Sequence, residues 1–295
     1  KNNYKCTAVT RSVFKKGFIL KTQASAGWID CVEVNIFDEK SLRGLINKAD
    51  ICINLIGILF EKGTLNTFQN IHSNFPNLIS KICKEENVKQ FIQLSALGIE
   101  EVKNSFYARS KLNGETFIKK NFPSATILRP SIIFSVDDSL TTKFMTLLNR
   151  LPFFPLFGNP NFMPIHVSDV TNIIYHVIDK EIKSTTIECI GPETISLKEI
   201  LERLLKLINK KRLIIPLPIL LSKLIAKTFR IFPNPPITED QLRLLSYNNV
   251  ATKKYKTNFD IGVPSISMFN QEVESYCYMW KDQGQFSTKK YNNKN

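Results

Sequence analysis

Tyr107 and Lys111 lie four residues apart in the stretch Ser105-Phe106-Tyr107-Ala108-Arg109-Ser110-Lys111-Leu112-Asn113-Gly114-Glu115. On a helix that spacing puts both side chains on one face, one turn apart. An ammonium beside a phenol favours the phenolate and lowers a pKa that is normally about 10. In that way a tyrosine becomes a proton donor or acceptor at neutral pH. The same lysine can instead hydrogen-bond the hydroxyls of a bound molecule without any chemistry. A bare pair at this spacing fits either role, so its surroundings decide.

Those surroundings alternate short apolar strands with helices. Strands are expected at Lys5–Thr10, Cys31–Asn35, Asp50–Gly57, Gln90–Ser95 and Ser124–Leu128. Helices are expected from Asp38 to about Lys48, from Thr64 to Glu86, and around Tyr107. Asp50–Gly57 is an apolar run of the type buried on both faces of a parallel sheet. The pattern predicts an α/β fold with a Rossmann-like, doubly wound parallel sheet over residues 1–155. A smaller mixed carboxyl-terminal lobe over 156–286 and a disordered Lys- and Asn-rich tail over 287–295 complete the expected organisation. Ligands of such sheets bind at the carboxyl ends of the strands. Arg11, Asn54 with Gly57, and Ser95 all fall there. Arg11 is placed to pair with a 2′-phosphate, which favours NADP over NAD.

A glycine-rich turn belongs before the strand that carries Arg11, yet no GxGxxG or GxxGxxG occurs in the chain. A doubly wound nucleotide domain needs roughly 25–30 further residues for that strand, turn and helix. The expectation is an amino-terminally truncated chain that binds a dinucleotide weakly or not at all.

The sequence has 295 residues, 43% hydrophobic and 22% charged, which suits a folded protein with a substantial core. Its net charge of +14 would suit nucleic acid, an acidic membrane surface or an acidic protein partner. No stretch interleaves basic clusters with regular aromatics, so nucleic acid is not expected. Cys6, Cys31, Cys52, Cys83, Cys189 and Cys277 are scattered, without CxxC or a nearby His at ligand spacing. Reduced thiols and no metal are therefore expected. The most apolar stretch, Leu213–Phe232, is broken by Pro216 and Pro218 and carries Lys223, Lys227 and Arg230, so it is not read as a membrane span. It reads as a basic amphipathic helix that either packs on the lobe or lies on a membrane or partner.

Asn54-Leu55-Ile56-Gly57, the strand ending in Ser95, Tyr107 with Lys111, Leu128-Arg129-Pro130-Ser131-Ile132-Ile133-Phe134 and Pro164-Ile165-His166-Val167 together resemble an extended or atypical short-chain dehydrogenase/reductase. A narrower resemblance rests on Phe106–Glu115, Phe122–Pro130, Phe162–Val167, Pro235–Leu242 and Gly284-Gln285-Phe286. These resemble the alpha-subcomplex subunit 9 family of respiratory complex I (NADH:ubiquinone oxidoreductase) and its bacterial relatives, over residues 4 to 286.

The resemblance implies an accessory subunit that holds NADPH and touches complex I core subunits. It also implies peripheral contact with a membrane: the cytoplasmic face of a bacterial inner membrane, or the matrix face of the mitochondrial one. It assigns catalysis, working or vestigial, to Tyr107, Lys111 and Ser95. It assigns cofactor binding to Arg11, Asn35, Asn54, Gly57, Ser95, Tyr107, Lys111, Arg129 and Pro130. Active extended members place the serine well over twenty residues before the tyrosine, whereas Ser95 precedes Tyr107 by only 12. That spacing suggests Leu97 at the hydroxyl position and a structural or regulatory role. The other reading from the same resemblance is an NADP-dependent reductase, epimerase or dehydratase. His72 is read as a core or surface residue.

Overall fold

The computed structural model describes residues 4–282 and 284, apart from 24, 139, 230, 231, 233 and 234. The chain runs through β1 (Cys6–Thr10), α1 (Val13–Lys21), β2 (Ile29–Glu33), α2 (Glu39–Ile46) and β3 (Ile51–Asn54). It continues through α3 (Phe75–Glu85), β4 (Gln90–Leu94), α4 (Phe106–Asn121) and β5 (Thr126–Pro130). β3, β4 and β5 pair in parallel, with Ile51 opposite Gln90 and Ile92 opposite Thr126. Thr185–Cys189 and Lys256–Thr257 extend this sheet to five parallel strands.

Adjacent β4 side chains point to opposite faces, as a strand's period of two requires. Phe91 enters the layer built by Leu42, Ile79 and Ile118 from α2, α3 and α4. Ile92 enters the opposite layer, with Val170, Ile173 and Val177 of the helix Val167–Asp179. Helices cover both faces, and the fold is the expected Rossmann-like parallel sheet.

β1 and β2 form a separate parallel pair. Among the described residues no ladder joins it to the larger sheet, of which β3 is the outer strand. The two are still packed together, because Val32, Val34 and Ile36 share a core with Cys52 and Ile56. A doubly wound order of 3-2-1-4-5-6 places one strand between two such edges. No described residue occupies that position.

Beyond residue 155 the chain alternates between the lobe and the sheet. Thr185–Cys189, buried over nearly all its length, returns to the first domain's sheet, and Lys256–Thr257 follows it. The lobe's own core gathers Phe134, Met145, Leu148, Phe154, Leu201 and Leu204 around the helices Thr141–Arg150 and Leu197–Leu207. The tail 287–295, Gln285, Phe286 and Arg230 lie outside the described residues.

Two element boundaries differ from the sequence reading for local reasons. Thr64–Glu86 is not one helix: Gln69–Asn74 is a π-helical turn, and α3 begins only at Phe75. The backbone stays helical across the junction, and Pro76, which has no N–H to donate, falls where the π-helical turn passes into the first turn of α3. Leu213–Pro216 is a strand paired with Phe153–Leu156, and the helix after Pro218 spans Ile219–Phe229. No helix among the described residues is long and apolar enough to cross a membrane.

Candidate functional site

The site is built on α4. Ser105 caps it, its Oγ accepting from Ala108 N at 3.2 Å, and at Gly114 the helix rests directly on the π-helical turn. A Cβ on Gly114 would collide with the backbone oxygen of His72, so only glycine permits this approach. The contact brings a histidine to the face of α4 that carries Tyr107 and Lys111.

His72 is held from both ring nitrogens. Nε2 accepts from Ile58 N at 3.0 Å, so the proton sits on Nδ1, which donates to Ser110 Oγ at 3.0 Å. Ser110 Oγ donates onward to the Tyr107 carbonyl at 2.8 Å. The imidazole stacks on Phe68 with centroids 5.5 Å apart and meets the Tyr107 ring edge-on at 5.1 Å. Burial, aided by the Lys111 charge, pushes the His72 pKa down to about 3. The ring is therefore neutral at physiological pH.

Tyr107 and Lys111 share a face of α4, but the expected depression of the tyrosine does not occur. Burial pushes the Tyr107 pKa up to about 12. Burial also lowers Lys111 to about 8, against the opposing pull of Glu115. The reason is geometric. The ammonium lies 5.9 Å from the Tyr107 ring centroid and donates to the Leu94 carbonyl at 3.5 Å. Desolvation thus outweighs charge stabilisation at the phenol.

Beside this pair runs a narrow crevice lined by Ile56, His72, Gln93, Ser95, Lys111 and Glu115. Ser95 Oγ is buried there and has no hydrogen-bond partner. Asn54 shapes the adjoining strand end, donating to Gln93 Oε1 at 2.8 Å and accepting from Ile56 N at 3.1 Å. At Gly57 an added Cβ would stand 3.3 Å from Lys111 Nζ and 3.6 Å from His72 Nε2. A side chain there would crowd the ammonium. The structure thus gathers Asn54, Gly57, Ser95, Tyr107 and Lys111 at one place.

The other expected residues are placed differently. Arg129 makes a bidentate pair with Glu115, at 3.0 Å from Nε and 2.6 Å from a terminal nitrogen. It also reaches Glu100 at 2.8 Å and covers the Tyr255 ring at 4.6 Å. Its guanidinium enters the site only through Glu115, as a buried structural group. Pro130 ends β5 and accepts from Leu97 N at 2.8 Å. Arg11 and Asn35 are exposed beyond β1 and β2, and neither lines the crevice. Asn35 Oδ1 accepts from Phe37 N at 3.0 Å in a local turn. Among the described residues no carboxylate pairs with Arg11.

Sequence reasoning missed His72, which lies 38 residues from Ser110, and Asp240, which reaches the head of α4. His72 carries no local motif, and Asp240 lies in the stretch Pro235–Leu242, whose resemblance gives no contact with α4. Among the described residues no group of three or more His, Cys, Asp or Glu is arranged to hold a metal.

No family model matches the chain. It is 26% identical over 259 residues to mouse (Mus musculus) NADH dehydrogenase (ubiquinone) 1 alpha subcomplex subunit 9, covering 86% of this chain and 68% of that protein. It is 25% identical over 253 residues to the NADH-ubiquinone oxidoreductase 40 kDa subunit of Neurospora crassa, covering 85% and 67%. The chain thus spans about two thirds of the length of these relatives. The crystal structure of dTDP-glucose 4,6-dehydratase from Bacillus anthracis, in complex with NAD, superposes with a TM-score of 0.69 over 94% of this chain and 88% of that one, at 13% identity. In sequence the chain resembles subunit 9 of complex I, and in fold it resembles the extended dehydratases and epimerases.

Proposed function

We propose that this chain is an accessory subunit of a respiratory NADH:ubiquinone oxidoreductase, one whose Tyr107 helix orients a nucleotide and does not turn over substrate. The observation that carries the reading is similarity to two complex I subunits over about 85% of the chain. The absence of turnover is supported by the state of Tyr107. A phenol with a pKa of about 12 is a poor base near neutrality.

The residues present fit one end of a dinucleotide. Ser95 Oγ is a buried hydroxyl in want of a partner, and Lys111 lies beside Gly57, where the backbone is bare. These would take the nicotinamide and ribose end. Arg11, with its guanidinium free of any described carboxylate, favours NADPH. Bound NADPH supplies hydride-transfer chemistry; here Ser95, Lys111 and Asn54 bind and orient. Because the sequence contains no glycine-rich turn to seat the pyrophosphate, the 295-residue chain should bind NADPH more weakly than low micromolar.

The helix Ile219–Phe229 supports peripheral contact with an inner membrane. Ser222 and Ala226 face inward, while Leu220 (83% exposed), Leu221 and Leu224 face out beside Lys223 and Lys227. An apolar face flanked by lysines suits an anionic lipid surface. Native electrophoresis of gently solubilised membranes tests the reading: the chain should co-migrate with the oxidoreductase, and migration only as free protein would overturn it.

A second reading, an NADP-dependent reductase, epimerase or dehydratase, is favoured by the grouping of Ser95, Tyr107 and Lys111. A substrate screen with Tyr107→Phe as control separates the two.

A further inference from the structure

A cleft of about 530 Å³ opens at the amino ends of β5 and of the strand Thr185–Cys189. It lies at the opposite end of the sheet from Ser95 and Tyr107, so it is not the dinucleotide site of a doubly wound fold. Lys119 enters from the last turn of α4, and Lys256 from the start of the strand Lys256–Thr257. Neither makes an ion pair among the described residues. Between them runs the segment Ser184, Thr185 and Thr186, whose hydroxyls make no hydrogen bond among the described residues. The nearby carboxylates have other partners: Glu101 and Glu100 hold Lys254, at 2.8 and 3.8 Å, Glu181 holds Lys183 at 3.3 Å, and Asp260, which feels the charge of Lys256, accepts from Thr257 N and Oγ1 at 2.7 and 2.8 Å.

Two lysines without an ion pair and a hydroxyl-bearing strand start around one concavity make a donor-rich surface. A carboxylate offers two oxygens and one charge. A phosphate monoester offers three terminal oxygens and up to two charges, which matches this set more fully. The volume also exceeds that of a lone phosphate, leaving room for an attached organic group. We propose that this cleft binds a phosphate-bearing ligand, with Lys119 and Lys256 as its cationic contacts and the segment 184–186 supplying hydroxyl donors. The phosphate belongs either to a soluble metabolite or to a phospholipid headgroup.

The first probe is inorganic phosphate, titrated at constant ionic strength into the isotopically labelled 295-residue chain and followed by NMR. Saturable shifts should appear at residues 184–186 and 256. The double variant Lys119→Gln/Lys256→Gln should weaken them by about tenfold or more, as expected for two exposed charge-assisted contacts. Lys206→Gln, at an exposed position on the helix Leu197–Leu207, should leave them unchanged. All these substitutions are at exposed positions, so the folded state is retained. Absence of saturable shifts, or equal affinity in the double variant, would overturn the proposal. Sedimentation with phosphatidylcholine vesicles containing phosphatidic acid, in a Leu220→Ser/Leu224→Ser background that removes the apolar face of the helix Ile219–Phe229, then assigns the source. Loss of vesicle binding in the double variant identifies a lipid headgroup. Unchanged vesicle binding beside a lost phosphate titration identifies a soluble phosphate.

Discussion

The carboxylate of Asp240 closes over the amino end of the helix that carries Tyr107. Its Oδ1 accepts from Phe106 N at 2.8 Å, and its Oδ2 accepts from Tyr107 N at 3.0 Å and from Ser105 Oγ at 2.7 Å. The first amides of a helix lack intrahelical partners and carry its positive end, so a carboxylate there is doubly favourable. Asp240 sits in a short helix, Glu239–Leu244, fixed by the capping box between Thr238 and Gln241. It lies 135 residues downstream of Ser105. The carboxyl-terminal lobe therefore sets where Tyr107 stands.

Replacing Asp240 with alanine should lower stability by about 1–2 kcal/mol, the range for a lost helix cap with its charge. Asparagine should recover part of the loss. Urea unfolding followed by far-UV circular dichroism measures both, and an unchanged midpoint for the alanine variant would uncouple the lobe from the helix.

Gly114→Ala forces α4 away from the π-helical turn, because the new methyl group meets the His72 backbone oxygen. The expected cost is about 1–3 kcal/mol, as for other overpacked contacts. The His72 ring resonances should shift with it. A variant as stable as the parent, with unshifted resonances, would show that the two elements are not in contact.

His72 predicts a pH dependence of stability with a definite sign. Its ordinary pKa of 6.5 falls to about 3 in the folded chain. Between those values the unfolded state binds more protons, so stability is fully present above about pH 6.5 and declines as pH falls toward 3. One such group limits the slope to about 1.4 kcal/mol per pH unit. The lowered Lys111 acts in another window, between about 8 and 10.5, where stability rises with pH. Thermal melts across pH 4–7 should therefore flatten in His72→Gln. An equal slope in both proteins would mean that His72 is protonated in the fold.

Ser95→Ala should leave the unliganded chain as stable or more stable, by up to about 1 kcal/mol, since the lost hydroxyl makes no hydrogen bond. The same change should weaken nucleotide binding. Differential scanning calorimetry with and without NADPH separates the two effects, and a strongly destabilised unliganded variant would show that Ser95 has a partner.

The sheet was legible in the sequence because its signals are local: apolar runs such as Ile51–Asn54 and Gln90–Leu94 each announce a buried strand. The placement of Tyr107 and Lys111 on one helix face was legible for the same reason. Their electrostatics were not. Spacing gives adjacency along α4, whereas the raised tyrosine pKa follows from how Phe68, His72 and the crevice enclose it. The resemblance assigned Arg129 to cofactor binding, and its engagement by Glu115 and Glu100 emerges only when α4 packs on β5. In the helix Ile219–Phe229 the pattern left open whether Leu220 and Leu224 pack on the lobe or face outward; they are exposed, and the small residues Ser222 and Ala226 are turned inward.

The most direct test of the account is affinity purification of the tagged protein from its native membranes, with mass spectrometry of the chains that accompany it. The account predicts stoichiometric recovery of complex I core subunits, undiminished by Tyr107→Phe. Recovery of the protein alone, active on a substrate and silenced by that same substitution, would contradict it.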